Sequence, residues 1–119
     1  MSRVLKFRSW SGYYFSYLDL RTDNDVDFYL FYRDIDIDSP IEQYTGLKNK
    51  NGEEIYEGDI ISYSELKFVV VWSEFDSSFK MKCDELDVAI YLYSKLAKEV
   101  KILGNIHEDP ELLGEKNEL

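Results

Sequence analysis

The chain has 119 residues, a length typical of one domain, and its 45% hydrophobic and 16% aromatic content is enough for a folded core. Its net charge of −10, from 24 acidic and 14 basic side chains, repels phosphate backbones and disfavours ordinary DNA or RNA binding. Because the sequence has a lone Cys83, no secretory signal and no run near the roughly 20 apolar residues of a membrane span, we expect a cytoplasmic protein without an internal disulfide.

The first segments of the chain predict β-structure. Alternating apolar and polar residues over Arg3 to Trp10 indicate a strand, and Tyr13 to Leu20 resumes with residues of high β propensity. We expect these two runs to pair as a hairpin. After a polar loop over residues 21–25, the continuous apolar run Phe28 to Tyr32 predicts a strand that is covered on both faces.

Three aspartates alternate with isoleucine in the sequence RDIDID, which would place Asp34, Asp36 and Asp38 on one face of an extended strand. Carboxylates at this spacing suggest a calcium-binding site. An EF-hand loop counted from Asp34 requires Gly at its sixth position and Glu at its twelfth, where this chain has Ser39 and Thr45. We therefore interpret the row as a charged solvent face that discourages edge-to-edge association of strands.

Most of the turn-forming residues lie in the central block QYTGLKNKNGEEIYEGDII, residues 43–61. Asn51-Gly52 predicts a type I′ turn of a β-hairpin, because both residue types tolerate positive φ. A second turn is expected at Gly58-Asp59. The Asp59 side chain fits a turn-stabilising hydrogen bond better than a general base, since no partner for it is evident in the sequence.

Further strands are predicted after the central block, at residues 60–63, 67–72 and 79–82. The continuous apolar run from Phe68 to Trp72 predicts a central strand covered on both faces. Residues 101–105 predict another strand, in which Gly104 allows a bulge or a close backbone approach.

The segment from Asp84 to Glu99 has two interpretations. Seven apolar residues at helical spacing, with Asp84 as N-cap, predict one amphipathic helix. The dense β-branched and aromatic residues from Val88 to Tyr93 predict a strand instead. Near the C-terminus, Asp109-Pro110 predicts a short helix start, and residues 114–119 are expected to fray.

Three sequence blocks resemble the YopX family: VLKFRSW at residues 4–10, TGLKNKNGEEIYEGDII at residues 45–61, and ILGNIHEDPELL at residues 102–113. They lie near the start, the middle and the end, so the likeness spans nearly the whole chain. The resemblance implies a small protein of bacteriophages or prophages with no assigned biochemical function. At position 107 this chain has His where the family pattern has an aromatic residue, usually Tyr.

The sequence predicts neither a catalytic centre nor a metal or cofactor site. Cys83 and His107 are the only residues of their kinds, so the four Cys or His ligands of a structural zinc site are excluded within one chain. A Cys–His nucleophilic pair would require the fold to bring these two distant residues together. We find no Gly-rich phosphate loop and no GxSxG motif, and we predict a protein that is not an enzyme.

Ten Tyr, seven Phe and two Trp exceed what a small core usually needs. Tyrosine is enriched at protein interfaces, where it combines apolar area with a hydrogen-bonding tip. The predicted interaction surface lies in the segment without a YopX motif and consists of Tyr13, Tyr14, Tyr17, Tyr29 and Tyr32.

Together these patterns predict a mainly β (α+β) domain over residues 1–119: a small, partly open barrel around the central hairpin, with an added N-terminal sheet and one or two short helices. We expect a non-enzymatic phage or prophage accessory protein that binds a protein partner or forms a homo-oligomer. The alternative is a nucleic-acid-related role, in which acidic rows mimic DNA and occupy a host DNA-binding protein, or a local basic patch contacts nucleic acid. That patch would consist of Arg3, Lys6, Arg8, Lys48 and Lys50.

Overall fold

The structure is a computed structural model that describes residues 4–34 and 40–113. Within these residues the chain forms two antiparallel sheets and two short helices. The elements in chain order are β1 (Lys6–Trp10), β2 (Phe15–Asp19), α1 (Asp25–Asp34), β3 (Ile41–Lys48), β4 (Glu54–Tyr56), β5 (Asp59–Tyr63), β6 (Leu66–Ser73), β7 (Ser78–Cys83), β8 (Val88–Tyr91), α2 (Ser94–Ala97), β9 (Lys101–Asn105) and a 3-10 turn (Pro110–Leu112).

The N-terminal sheet has the strand order β2-β1-β3-β4. The predicted early hairpin is confirmed, because β1 pairs antiparallel with β2 and places Trp10 opposite Phe15. β3 returns along the other side of β1, with Phe7 opposite Gln43. The central hairpin of β3 and β4 therefore belongs to the same sheet as the N-terminal strands.

The second sheet has the strand order β8-β7-β6-β5-β9. Its inner face and the segment around α2 form the hydrophobic core, to which β4 also contributes one residue. Because that residue comes from the other sheet, the core continues from one sheet to the other. The buried core residues are Ile55, Ile61, Phe68, Val70, Met81, Cys83, Leu92, Leu96, Ala97 and Val100.

The chain passes from the first sheet to the second at the turn Glu57-Gly58. Gly58 has a φ of +87°, its N–H donates to the carbonyl of Val70 over 2.8 Å, and its carbonyl accepts from the N–H of Ile106 over 2.9 Å. A Cβ at this position would run into the carboxylate of Glu42. Glycine is therefore required where the two sheets meet.

The mainly β prediction is confirmed, with both sheets antiparallel and the helices short. Among the described residues no strand pairing closes either sheet, so the partly open barrel stays a prediction. The bulge expected at Gly104 is present, since Ile60 lies opposite Gly104 and Ile61 opposite Ile102.

The strand predicted over Phe28 to Tyr32 is wrong, because this run lies in α1. Asn24 and Asp27 begin the helix with a reciprocal capping box, in which each side-chain oxygen accepts the other residue's backbone N–H over 3.0 Å. Only Phe31 of the run is buried. Asp34 ends α1 instead of lying on a strand, while Asp36 and Asp38 are outside the described residues.

The helix predicted from Asp84 to Glu99 is wrong for most of its length. Residues 88–91 form β8, as the competing interpretation held, and only residues 94–97 are helical. Met81 lies opposite Ile90 in the pairing of β7 with β8. β8 folds back on the preceding strand β7 as a hairpin, and this pairing outweighs the helical spacing because β-branched residues such as Val88 and Ile90 suit a pleated surface.

The Asn51-Gly52 hairpin forms, but its turn is not type I′. Gly52 has a φ of +82° and Asn51 is not in the left-handed region. The side-chain oxygen of Asn49 accepts the N–H groups of Asn51 and Glu53 over 3.0 Å each, which moves the tight turn one residue towards the N-terminus. The turn in which both central residues have positive φ joins β5 to β6, at Ser64 (54°) and Glu65 (68°).

β6 occupies the centre of its sheet, yet it is covered on one face only. Phe68 and Val70 on one face are buried, whereas Val69 and Val71 on the other face are only partly buried. The short helix start after Asp109 is confirmed, with Pro110 as its first residue. The predicted frayed tail lies outside the described residues, and within the described ranges no helix is long and apolar enough to cross a membrane.

Candidate functional site

All five tyrosines of the predicted interaction surface are exposed, by 56% to 89%. Tyr13 and Tyr14 lie at the tip of the β1–β2 hairpin and Tyr17 on β2, while Tyr29 and Tyr32 lie on α1. α1 packs against β2, so the hairpin and the helix are neighbours. A cavity of about 310 Å³ between them is lined by Tyr17 together with residues of α1.

α1 presents most of its apolar side chains to solvent. Phe31 is 7% exposed, whereas Val26, Phe28, Tyr29 and Tyr32 are each more than half exposed. A helix with such a surface lacks an apolar partner for most of its circumference among the described residues. The tyrosine surface is defined here as the five predicted tyrosines together with Val26 and Phe28.

A second cluster, which the sequence did not predict, is buried where the two sheets meet. Arg8 of β1 is 5% exposed, and its guanidinium donates to Glu42 over 2.9 Å, to Asp59 over 3.0 Å and to the carbonyl of Glu57 over 3.0 Å. Its planar face lies 4.2 Å from the ring centre of Phe15. This side chain therefore connects the N-terminal sheet to β5 of the second sheet.

Asp59 uses both carboxylate oxygens. One accepts from Arg8 and the other accepts the backbone N–H of Tyr56 over 2.8 Å, which confirms the predicted turn-stabilising role. Burial raises the pKa of Asp59 to about 6, although the charge of Arg8 and both hydrogen bonds oppose this. Sequence reasoning missed Arg8 as the partner, because the two residues are distant in the chain.

Glu42 completes the cluster on its other side. One oxygen of its carboxylate accepts from Arg8, and the other lies 2.9 Å from Nε2 of His107. His107 stacks on Trp10 with ring centres 5.9 Å apart and meets Phe15 edge-on at 5.7 Å. His107 thus combines aromatic packing on Trp10 and Phe15 with a polar contact to Glu42.

The junction cluster, which we define as Arg8, Glu42, Asp59 and His107, suits structural support better than catalysis. Each carboxylate oxygen already has a protein partner. A general base needs a free position from which to accept a proton from a substrate. The junction cluster therefore holds the two sheets together through buried, hydrogen-bonded charges.

Cys83 and His107 occupy different parts of the molecule. Cys83 lies in the hydrophobic core with Phe68 and Met81, whereas His107 belongs to the junction cluster and stacks on Trp10. The described ranges contain no group of three or more His, Cys, Asp or Glu side chains that could hold a metal ion.

The structure pairs part of the predicted basic patch with carboxylates. Arg8 is buried in the junction cluster, and Nζ of Lys6 lies 2.7 Å from Glu54. Lys48 and Lys50 are exposed near the central hairpin, and Arg3 is outside the described residues. The five residues therefore do not form one free cationic surface.

Comparisons with known proteins agree with this description. A family model described as YopX protein matches residues 6–114. The crystal structure of protein EF1440 from Enterococcus faecalis is similar to this chain with a TM-score of 0.60 and 23% sequence identity, covering 94% of this chain and 99% of that one. At that identity the likeness shows a shared fold. No curated protein sequence matches.

Proposed function

The chain belongs to the YopX protein family, and on that premise we propose that it is a non-enzymatic accessory protein of phage or prophage origin. It acts in the cytoplasm of the bacterial host by binding another protein through the tyrosine surface. The family membership supports the phage-related setting. The binding role rests on the exposed side chains.

The observation that carries the proposal is the apolar surface of α1. Soluble monomers seldom expose contiguous apolar patches unless the patch binds something. Here Tyr29 and Tyr32 on the helix are 61% and 69% exposed, and Tyr13 at the neighbouring hairpin tip is 89% exposed. Tyrosines of this kind provide large contact areas at a low entropic cost.

The junction cluster supports a binding role over an enzymatic one. Its charged groups are buried and mutually saturated, so they fix the position of β1 and β5 without offering an open reactive atom. A rigid scaffold below an exposed apolar surface is a common arrangement for recognition.

The proposal is tested by affinity capture from host lysate with paired variants. Tyr29→Ser with Tyr32→Ser should abolish recovery of a partner that the wild-type chain retains. Phe75→Ser is the matched control, because Phe75 is a 99% exposed aromatic residue far along the chain, between β6 and β7. Equal recovery by the double variant and the wild type would contradict the tyrosine surface.

A second candidate, mimicry of nucleic-acid charge, is favoured by the net charge of −10. Contact with nucleic acid itself is less compatible with the structure, since Lys6 and Arg8 are paired with carboxylates. Mimicry predicts that captured proteins are DNA-binding proteins and that they are released by raised salt. A partner held equally well at high salt favours the tyrosine surface.

A further inference from the structure

Strand β8 is an edge strand of the five-stranded sheet. It pairs with β7 on one side, and among the described strands none lies on its other side. All four of its residues, Val88, Ala89, Ile90 and Tyr91, are exposed and uncharged. An uncharged, solvent-exposed edge strand is a template for another strand.

The other sheet edges carry features that oppose strand addition. β9 begins with Lys101 and has a bulge next to Gly104. β4 is only three residues long and begins with Glu54. β2 contains Asp19 and has α1 packed against it. Charges, bulges and short length are the usual means of blocking edges, and β8 has only its short length.

The ladder with β7 determines which backbone groups of β8 point outward. The N–H of Leu92 donates to the carbonyl of Phe79 over 3.1 Å, in register with the β7–β8 pairing. In an antiparallel ladder every second residue forms its backbone hydrogen bonds with the same neighbouring strand. Ile90 and Val88 therefore also direct their N–H and C=O groups towards β7. Ala89 and Tyr91 consequently direct their N–H and C=O groups away from the sheet.

We propose that β8 pairs antiparallel with β8 of a second copy of this chain, joining two five-stranded sheets into one continuous sheet. One register lets the outward N–H and C=O groups of Ala89 and Tyr91 all form hydrogen bonds with the second copy, and it places Ile90 opposite Ile90 of that copy. Ala89 of each copy then exchanges backbone hydrogen bonds with Tyr91 of the other. On the core face this register also sets Val88 against Leu92, so every cross-strand pair is apolar.

The charges flanking β8 favour a second copy as the occupant. Asp84, Glu85 and Asp87, before the strand, are exposed, as is Lys95 after it. The antiparallel two-fold arrangement brings the acidic turn of one copy towards Lys95 of the other. Because each chain carries a net charge of −10, self-association requires such an uncharged contact with complementary ends.

Sedimentation velocity over a concentration series tests the proposal on the full chain. We expect the wild type to reach twice its mass of 14.1 kDa. Ala89→Pro removes an outward N–H without removing a hydrogen bond to β7, so this variant should stay monomeric with an unchanged circular dichroism spectrum. A wild type that remains monomeric, or a folded Ala89→Pro variant that still dimerises, overturns the proposal.

Oxidative cross-linking tests the register, also if Ala89→Pro fails to fold. In the proposed pairing Ile90→Cys places two thiols at a close, non-hydrogen-bonded position with Cα atoms about 4.5 Å apart, within disulfide range. Val88→Cys is the matched control, because its two copies lie about 13 Å apart along the strands. We expect a disulfide dimer for Ile90→Cys and none for Val88→Cys or for the wild type, whose Cys83 is buried. Equal cross-linking of the two variants, or none of either, overturns the proposal.

This inference does not depend on the tyrosine surface, which lies on the other sheet. A dimer that persists in Ala89→Pro but is lost in Tyr29→Ser with Tyr32→Ser would contradict β8 pairing and support self-association through the tyrosines. The converse result would support β8 pairing and leave the capture experiment to decide the tyrosine surface.

Discussion

Arg8 is the residue on which the junction of the two sheets most depends, because Glu42 and Asp59 are both buried around it. Removing one partner of a buried ion pair leaves an uncompensated charge. Arg8→Met should therefore lower the free energy of unfolding by about 3 to 5 kcal/mol. Denaturant titration measures this loss.

Lys6→Met is the matched control for Arg8→Met, since Lys6 lies on the same strand and also pairs with a carboxylate. Its side chain is 22% exposed and that of its partner Glu54 is 29% exposed. Its loss should be about 1 kcal/mol or less. Equal losses for the two variants would show that the junction cluster is no more important than a surface pair.

The raised pKa of Asp59 should make the folded state less stable as the pH rises. Burial raises its pKa from 3.8 to about 6, so the folded state binds a proton more tightly than the unfolded state. The stability that this provides is fully present below pH 3.8 and is lost as the pH rises through about 6. Two pH units correspond to at most about 3 kcal/mol.

We expect the free energy of unfolding of the wild type to rise as the pH falls from 7 towards 4, relative to Asp59→Asn. Urea titrations of both proteins across this range provide the measurement. Asp84→Asn is the control, because Asp84 is exposed and its change should leave the wild-type slope intact. Parallel curves for the wild type and Asp59→Asn would contradict the predicted linkage.

Glycine is required at position 58 for two reasons, its positive φ and the lack of space for a Cβ, and a comparison with Gly52 separates them. Gly58 and Gly52 both have positive φ, but a Cβ on Gly58 meets Glu42 whereas one on Gly52 meets open space. Gly52→Ala should cost about 1 to 2 kcal/mol of stability. Gly58→Ala should cost about 1 to 3 kcal/mol more, because it displaces the carboxylate that holds Arg8.

Thermal unfolding of the two alanine variants tests this difference. Comparable melting temperatures for Gly58→Ala and Gly52→Ala would mean that Glu42 moves aside without loss and that the junction is not closely packed.

At the scale of elements, the β5–β6 turn holds two non-glycine residues at positive φ. Ser64 and Glu65 have φ values of 54° and 68°, which suit Asn-Gly in a type I′ turn. Replacing Ser64-Glu65 by Asn-Gly should raise the free energy of unfolding by about 1 kcal/mol. Lys50→Gly is the control, because Lys50 lies in a turn but does not have a positive φ. Glycine at this position should lower the free energy of unfolding, since it only adds conformational freedom to the unfolded chain. A gain in stability for Lys50→Gly would contradict the prediction.

The sequence predicted an element correctly where a local pattern of residues determines it, and less well where contacts with other elements decide. Strands with period-two alternation or continuous apolar runs, such as β1 and β6, were predicted correctly. α1 was missed although its capping box at Asn24 and Asp27 is a local signal, because the aromatic run suggested β propensity. β8 was one of two interpretations of its segment, because the helical spacing of the apolar residues competed with the β propensity of residues 88–91, and only the pairing with β7 decides between them.

The candidate sites show the same division. The five tyrosines of the predicted interaction surface are exposed, whereas their binding role stays a prediction. The junction cluster joins residues from positions 8, 42, 59 and 107, and no spacing rule connects them. Gly58-Asp59 was the one local signal for it, and only the fold supplies the partner Arg8.

At the scale of the molecule, two antiparallel sheets share one core and are clamped by buried charges, which leaves the surface free to carry function. The tyrosine surface lies at the N-terminal sheet, and the free edge of β8 lies at the other sheet. We therefore expect that variants of either surface retain the fold even where they lose binding.

Binding of a partner through the tyrosine surface, as proposed, is tested most directly by site-specific photo-cross-linking in bacterial cells that produce the protein. A photoreactive phenylalanine analogue at Tyr32, 69% exposed, is compared with the same analogue at Phe75, 99% exposed. We expect a discrete cross-linked protein from position 32 and none from position 75. No adduct at position 32, or the same adducts at both positions, would contradict it.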